Sequence, residues 1–216
     1  MNFILFFYVL AFVLFGVLVA TAYLCYLVRH SNKRTYMKRK EVNVLSVLGS
    51  GGHTTEMIEL MKHLDEAVYN HRTYIVADTD KISEEKVRQF ESSRGGAGFI
   101  VEKVPRSREV GQSYPSSVFT TLYAAYFSFL LVWKYKPDLV LLNGPGTCIP
   151  IAFMVAFLDM IRLIDTCIIF EESVCRVETL SLSGAILYYA GIADDVIVQW
   201  PALQERYPRS KLIETL

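Results

Sequence analysis

The residues of this 216-residue chain that could perform chemistry are concentrated in two glycine-rich turns. Gly49–Thr54 has the sequence GSGGHT, and Asn143–Thr147 has the sequence NGPGT. Glycine lets the backbone turn tightly and approach an oxyanion, whose charge then meets the N-terminus of the following helix. The pattern therefore favours an anion site, while a strand-to-helix turn without a ligand is the plainer alternative. The candidate glycines are Gly49, Gly51, Gly52, Gly144 and Gly146.

His53 stands at the mouth of the first turn, where it could act as a general base or donate to a phosphate. Its alternative role is a helix cap. A Walker A loop is excluded, because no Gly-Lys-Ser/Thr follows the glycines. The dinucleotide fingerprint fits only in part, because Thr54 stands where the third glycine belongs.

Two further loops carry charged side chains. Arg106 and Arg108 flank a serine, and guanidinium groups can hold phosphate oxygens bidentately. A solvated loop is the alternative. Glu171 and Glu172 follow an apolar run, where one of them could bind sugar hydroxyls or act as a base, or where both cap a helix.

These loops require a scaffold, and short apolar runs alternate with helical patterns from residue 42 onward. We predict strands at 42–48, 72–77, 99–103, 139–143, 166–170 and 195–198. Helices are predicted after 52 and at 83–90, 118–133, 149–160, 183–189 and 201–207. This alternation predicts an α/β domain with one Rossmann-like parallel sheet covered by helices on both faces. Such sheets bind ligands at the carboxyl ends of their strands, where all the loops above lie.

The predicted helix 118–133 has no charged residue and is rich in aromatic residues. It is too short to cross a bilayer comfortably, so we predict a buried core helix. An exposed aromatic face in contact with the bilayer is the alternative.

The N-terminus predicts a membrane anchor. Residues 3–28 carry no charge, and residues 29–40 carry six cations and no acid. An apolar helix of about 20 residues spans a bilayer, and flanking cations remain on the cytosolic side. We predict an anchor at 1–28, a basic linker at 29–41 and a cytosolic domain at 42–216. A cleaved signal peptide is disfavoured, because no basic residue precedes the apolar run.

Composition excludes several classes of protein. Apolar residues make up 52% of the chain, which excludes a disordered protein. Outside residues 29–40 there are 16 cations against 22 anions, which excludes a strongly basic nucleic-acid binder. The four cysteines show no CxxC spacing, which favours a reduced, cytosol-facing domain.

Five motifs together resemble one known family. They are Gly49–Thr54, Pro105–Val110 (PRSREV), Asn143–Thr147, Glu172–Leu180 (ESVCRVETL) and Val198–Ala202 (VQWPA). The family is the membrane-anchoring subunit of the UDP-N-acetylglucosamine transferase that elongates dolichol-linked N-acetylglucosamine in asparagine-linked glycosylation. Its members resemble the N-terminal half of the bacterial transferase that makes peptidoglycan lipid II, a two-domain GT-B enzyme.

The resemblance implies a subunit that recruits a soluble, donor-binding partner chain to the cytosolic face of the endoplasmic reticulum. Together they would add the second N-acetylglucosamine to dolichyl-diphosphate-N-acetylglucosamine, with inversion. This subunit would be inactive alone, and the resemblance implies neither a metal nor a cofactor. The resemblance covers residues 1–205. The chain departs from a complete GT-B enzyme in that no second Rossmann pattern follows Tyr207.

The resemblance also suggests roles for the candidate residues. The acceptor diphosphate would lie against the five glycines named above and against Arg106 and Arg108. His53, or else Glu172, would be the base. Two other classes stay open: a membrane adaptor with no substrate site, and a membrane-anchored nicotinamide-dependent reductase, which Gly49, Gly51 and Asp78 would favour.

Overall fold

The fold is an alternation of strands and helices. A computed structural model describes residues 39–95, 98–107, 114–144 and 146–213, with residues 114–118 described by their backbone only. The elements in these ranges are β1 (Asn43–Val47), α1 (Gly52–Lys62), β2 (His71–Ala77), α2 (Lys81–Ser93), β3 (Phe99–Val104), α3 (Tyr114–Tyr135), β4 (Leu139–Asn143), α4 (Cys148–Met160), β5 (Cys167–Glu171), α5 (Leu182–Tyr189), β6 (Asp195–Val198), α6 (Pro201–Arg206) and β7 (Lys211–Leu212).

The strands form one seven-stranded parallel sheet in the order β3-β2-β1-β4-β5-β6-β7. β1 pairs with β4 in a register that places Val47 beside Leu142, and β4 pairs with β5 so that Asn143 lies beside Glu171. The chain winds outward in both directions from β1 and β4. Their carboxyl ends therefore form the crevice in which sheets of this type bind ligands.

Each face of the sheet has its own hydrophobic core. Met57 and Met61 of α1 pack with Val87 and Phe90 of α2 on one face. Residues of α3, α4 and α5 cover the other face. The predicted parallel sheet with helices on both sides is confirmed.

The predicted elements match the observed ones to within a few residues. All six predicted strands are present, and the strands at 139–143 and 195–198 have the predicted bounds. The two-residue strand β7 was not predicted, because a single Lys-Leu pair at the edge carries no periodic pattern. Glu171 is the last residue of β5 rather than the first residue after it.

α3 is buried on one side only. Ala124, Ser128 and Val132 face the protein interior. The predicted buried core helix is therefore confirmed for this side and wrong for the opposite side, because only one face packs against the core. Its exposed large apolar side chains are Phe119, Leu122, Tyr123, Tyr126, Leu130 and Trp133.

The predicted anchor at 1–28 and linker residues 29–38 lie outside the described residues. In the described ranges, no helix combines the length and the hydropathy that a membrane crossing needs. Arg39, near the end of the predicted linker, pairs with Asp138 and with Asp165, the latter at 2.8 Å. These acids precede β4 and β5, so this end of the linker contacts the amino edge of the sheet.

Candidate functional site

The two glycine-rich turns are in contact at the centre of the sheet. A Cβ on Gly49 would lie 3.2 Å from the Cα of Gly144 and 2.9 Å from the Cβ of His53. A Cβ on Gly144, whose φ is 91°, would lie 3.1 Å from the Cα of Gly49 and from the His53 ring. These two glycines are therefore needed for the turns to pack, whether or not a ligand is bound.

Gly51 and Gly52 have a different environment. A Cβ on either residue would meet nothing within 4 Å, so the backbone of this turn faces open space. Gly51 has a φ of 74°, a conformation that side chains disfavour. A ligand therefore has room to approach the backbone here, as the sequence predicts for an anion site.

The helices that follow the two turns begin without side-chain caps. Gly51, which precedes α1, has no side chain, and the side chain of Thr147 makes no capping hydrogen bond to the first turn of α4. In contrast, Asp80 caps α2 and Ser181 caps α5. The first four N–H groups of a helix have no partner within it, and they carry a partial positive charge. α1 and α4 therefore present backbone donors at adjacent strand ends.

The arginine loop after β3 reaches the second turn. Ser107 Oγ donates to the carbonyl of Gly146 at 2.7 Å, and Arg106 Nε donates to Thr79 Oγ1 at 2.6 Å. No carboxylate in the described ranges pairs with Arg106. The guanidinium thus lies beside Thr79, after β2, and its terminal nitrogens can bind an anion. Arg108 lies outside the described residues.

His53 makes a hydrogen bond to Glu56, a carboxylate that is not among the site residues predicted from the sequence. Its Nδ1 lies 3.1 Å from Glu56 Oε2, one helical turn along α1. An ionised carboxylate only accepts hydrogen bonds, so Nδ1 carries the proton at this contact. Nε2 then remains the basic nitrogen of the neutral ring.

The Glu56 side chain is held by residues at the carboxyl ends of two strands, β4 and β5. Its Oε1 accepts from Ser173 Oγ at 2.8 Å and from the backbone N–H of Val174 at 3.2 Å, while its Oε2 accepts from Asn143 Nδ2 at 3.2 Å. Burial opposes the negative charge, but these hydrogen bonds and the one from His53 outweigh it. The pKa of Glu56 consequently lies below its ordinary value.

The carboxylate of Glu171, which is more deeply buried than that of Glu56, shares the Asn143 amide with it. Glu171 accepts from Asn143 Nδ2 at 3.0 Å and from Gln199 Nε2 at 3.3 Å, and its residue is 1% exposed. Burial, with a smaller contribution from the charge of Glu56, raises the pKa of Glu171 to about 7. The buried Asn143 Oδ1 has no hydrogen-bond partner. One amide thus joins two carboxylates whose pKa values have moved apart.

Glu172, the alternative base predicted from the sequence, has a different environment. It is buried, and its two oxygens accept from the backbone N–H groups of Ser173 at 3.0 Å and Ser181 at 2.7 Å. These contacts close the loop that leads to α5. The geometry therefore favours a loop-fixing role for Glu172, and its assignment as a base stays a prediction.

Neither a metal cluster nor a dinucleotide turn is evident in the described part of the chain. No group of three or more His, Cys, Asp or Glu residues is placed there to hold a metal ion. Thr54, at the third glycine position of the fingerprint, has its hydroxyl buried between the carbonyl of Gly49 and Ser83 Oγ, each at 2.6 Å. This position is therefore part of the packing between α1 and α2.

Comparison with known proteins identifies relatives over most of the chain. The profile of the family described as "Oligosaccharide biosynthesis protein Alg14 like" matches residues 44–216. Proteins named "UDP-N-acetylglucosamine transferase subunit ALG14" are similar: the human one is 48% identical, covering 80% of this chain and 82% of its own length. The Yarrowia lipolytica one is 42% identical, covering 81% of each. The Schizosaccharomyces pombe one is 34% identical, covering 86% and 87%.

One solved structure has a similar fold. The crystal structure of Acinetobacter baumannii MurG aligns with a TM-score of 0.54 at 14% identity. The alignment covers 80% of this chain and 44% of MurG. The chain therefore spans less than half of the length of that protein, and the likeness is one of fold.

Proposed function

Because this chain belongs to the Alg14-like family of oligosaccharide biosynthesis proteins, we propose that it is the acceptor-binding subunit of a two-chain UDP-N-acetylglucosamine transferase. Its partner is a soluble chain that binds the UDP-sugar. The complex adds the second N-acetylglucosamine to dolichyl-diphosphate-N-acetylglucosamine. The names of the relatives, which describe a transferase subunit, support a complex, and the partial match to MurG agrees with one half of a two-domain fold.

The observation that carries this proposal is the pair of uncapped helices at the centre of the sheet. α1 and α4 start from glycine-rich turns that touch, and Arg106 lies on the loop beside them. Two helix N-termini and a guanidinium match the charge of a diphosphate, which carries two adjacent anionic groups. We therefore propose that the acceptor diphosphate binds over Gly51 and Gly52, and the open backbone there supports this.

His53 is proposed as the general base. The 4-hydroxyl of the acceptor sugar attacks the anomeric carbon of the donor, its proton passes to Nε2 of His53, and UDP leaves with inversion. His53 follows the open glycine turn directly, and its ring is 28% exposed, so a bound acceptor can reach it. Proton transfer to a positioned base makes the hydroxyl a stronger nucleophile.

We also propose that the chain is anchored at the cytosolic face of the endoplasmic reticulum membrane. The uncharged run at 3–28 and the six cations at 29–40 support an anchor with this orientation. The exposed aromatic side of α3 supports a second contact with lipid, because tyrosine and tryptophan favour the interface of a bilayer. Such a contact would hold the site near the diphosphate of a membrane-embedded acceptor.

Reconstitution with and without a donor-binding chain tests the proposed function. The full-length chain in liposomes should transfer no sugar from UDP-N-acetylglucosamine to a polyprenyl diphosphate acceptor, and the addition of the partner should start transfer. Turnover by this chain alone would contradict the two-chain proposal. If the complex kept full activity with both His53 and Arg106 replaced, the chain would be an adaptor without a substrate site.

The arginine loop yields a prediction about substrate affinity. Arg106→Ala should weaken the apparent affinity for the lipid acceptor about tenfold, because one charge-assisted hydrogen bond contributes roughly 1.5–3 kcal/mol. The affinity for UDP-N-acetylglucosamine should stay unchanged, since the partner binds the donor. Steady-state kinetics of the complex, with each substrate varied separately, measures both.

Arg88→Ala is the matched control for this experiment. Arg88 is an exposed arginine on α2 that already pairs with Glu84 at 2.9 Å, so its loss should change neither affinity. A defect confined to the donor would assign Arg106 to the other substrate. If Arg106→Ala and Arg88→Ala had the same substrate affinities, the arginine loop would be a solvated loop that binds no substrate.

A further inference from the structure

The carboxylate beside His53 has no role in the function as proposed so far. Glu56 is polar and half-buried, and it lies on α1, the helix whose Met57 and Met61 pack in the hydrophobic core on this face of the sheet. All its hydrogen-bond partners belong to the carboxyl edge of the sheet or to α1 itself. Its side chain therefore lies in the crevice and not in the solvent.

We propose that Glu56 is a positioning residue for sugar transfer: it fixes the ring of His53 through Nδ1, so that Nε2 is the nitrogen that takes the acceptor proton. This proposal rests on the proposed function. The contact of 3.1 Å between Nδ1 and Oε2 determines which nitrogen carries hydrogen. Without an acceptor at that place, the ring could carry its proton on Nε2 and would then be unable to accept one there.

A residue can orient another only if it is itself held in place. Glu56 receives three hydrogen bonds besides that of His53, from Asn143 at the end of β4 and from Ser173 and Val174 after β5. Two strand ends thus determine where the carboxylate lies. The His53 ring also lies close to the backbone of Gly144, because a Cβ there would be 3.1 Å from it. The ring is therefore constrained by its hydrogen bond to Glu56 and by its packing against Gly144.

Of the two neighbouring acids Glu56 and Glu171, Glu56 carries the negative charge. Glu171 also binds Asn143, but it has fewer donors and is more deeply buried. Two carboxylates joined by one amide do not ionise equally, so the better-solvated member carries the charge. Glu56 is that member, and an ionised carboxylate is the stronger acceptor for the N–H of His53.

A double-mutant cycle tests this role in the reconstituted complex. Glu56→Gln should lower kcat about 10²-fold with little change in the KM for the acceptor, because an amide can donate to Nδ1 and so favour the unproductive ring form. In a His53→Ala background, the same substitution should have no further effect, because Glu56 acts only through the ring. A purely structural role of Glu56 would give the same loss in both backgrounds, and that result would overturn the proposal.

Two more variants keep the result interpretable. Glu59→Gln, on the exposed side of α1 where Glu59 pairs with Lys62, should leave kcat unchanged. If Glu56→Gln does not assemble with the partner, Ser173→Ala removes one anchor of the carboxylate and should lower kcat severalfold, again only when His53 is present. Full activity of Glu56→Gln would also refute the proposal. Full activity of His53→Ala would instead refute the assignment of the base, and the two failures are thereby distinguished.

Discussion

Replacing His53 with alanine should lower kcat of the reconstituted transferase by about 10²–10⁴-fold, the usual contribution of a positioned general base. The acceptor should still bind, because the backbone donors of α1 and α4 and the guanidinium of Arg106 remain. The KM for the acceptor should therefore change far less than kcat. Single-turnover transfer from radiolabelled UDP-N-acetylglucosamine, at saturating acceptor, measures the chemical step directly.

His63→Ala is the matched control, because His63 lies at the opposite end of α1 and is exposed. It should transfer sugar at the rate of the unmodified complex. A His53→Ala complex that is equally active would show that the base is another group. If instead Glu172→Gln alone lost activity, while retaining assembly with the partner, the second sequence-predicted base would replace the first.

The second large effect concerns stability and pH. Glu171 has an ordinary carboxyl pKa of 4.5 when unfolded and a pKa of about 7 in the folded chain, because burial disfavours its charge. At a pH between 4.5 and about 7, Glu171 is therefore protonated in the folded state and ionised in the unfolded state. The free energy of unfolding should fall as the pH rises from about 4.5 to 7, by about 3 kcal/mol in total.

Glu171→Gln should remove this pH dependence. The amide stays neutral, so its cost of burial is the same at every pH, although one hydrogen bond to Asn143 or Gln199 is lost. Urea unfolding of the detergent-solubilised full chain at several pH values, followed by tryptophan fluorescence, compares the two proteins. Glu59→Gln should retain the pH dependence of the unmodified chain. If the free energy of unfolding varied with pH in the same way for Glu171→Gln and the unmodified chain, Glu171 would be ionised in the folded state.

The fold could be predicted from the sequence because its strands are apolar on both faces and its helices are periodic. β4 and β6 have the predicted bounds since loop residues flank both runs. The exposure of one side of α3 could not be predicted, because an aromatic run without charges has the same pattern when buried on all sides or on one. Only the packing of the helix against the sheet distinguishes the two.

The candidate site could be predicted only as far as the strand ends. The contact between Gly49 and Gly144 follows from the pairing of β1 with β4, which the sequence leaves undetermined. Glu56 was missed because a glutamate in an amphipathic helix has the pattern of a solvent-facing residue. The spacing of three between His53 and Glu56, which puts both on one helix face, is the signal that could have identified it.

The contact between Gly49 and Gly144 also has a consequence for folding. A strand displaced by two residues along its neighbour keeps the same faces buried, so hydrophobic burial hardly distinguishes that error from the native pairing. If β4 were displaced in this way toward the crevice, Leu142 would take the place of Gly144, against a backbone that leaves no room for a side chain. The two glycines thus act as a steric check on the alignment of the central strands, because they oppose a displacement of β4 toward the crevice.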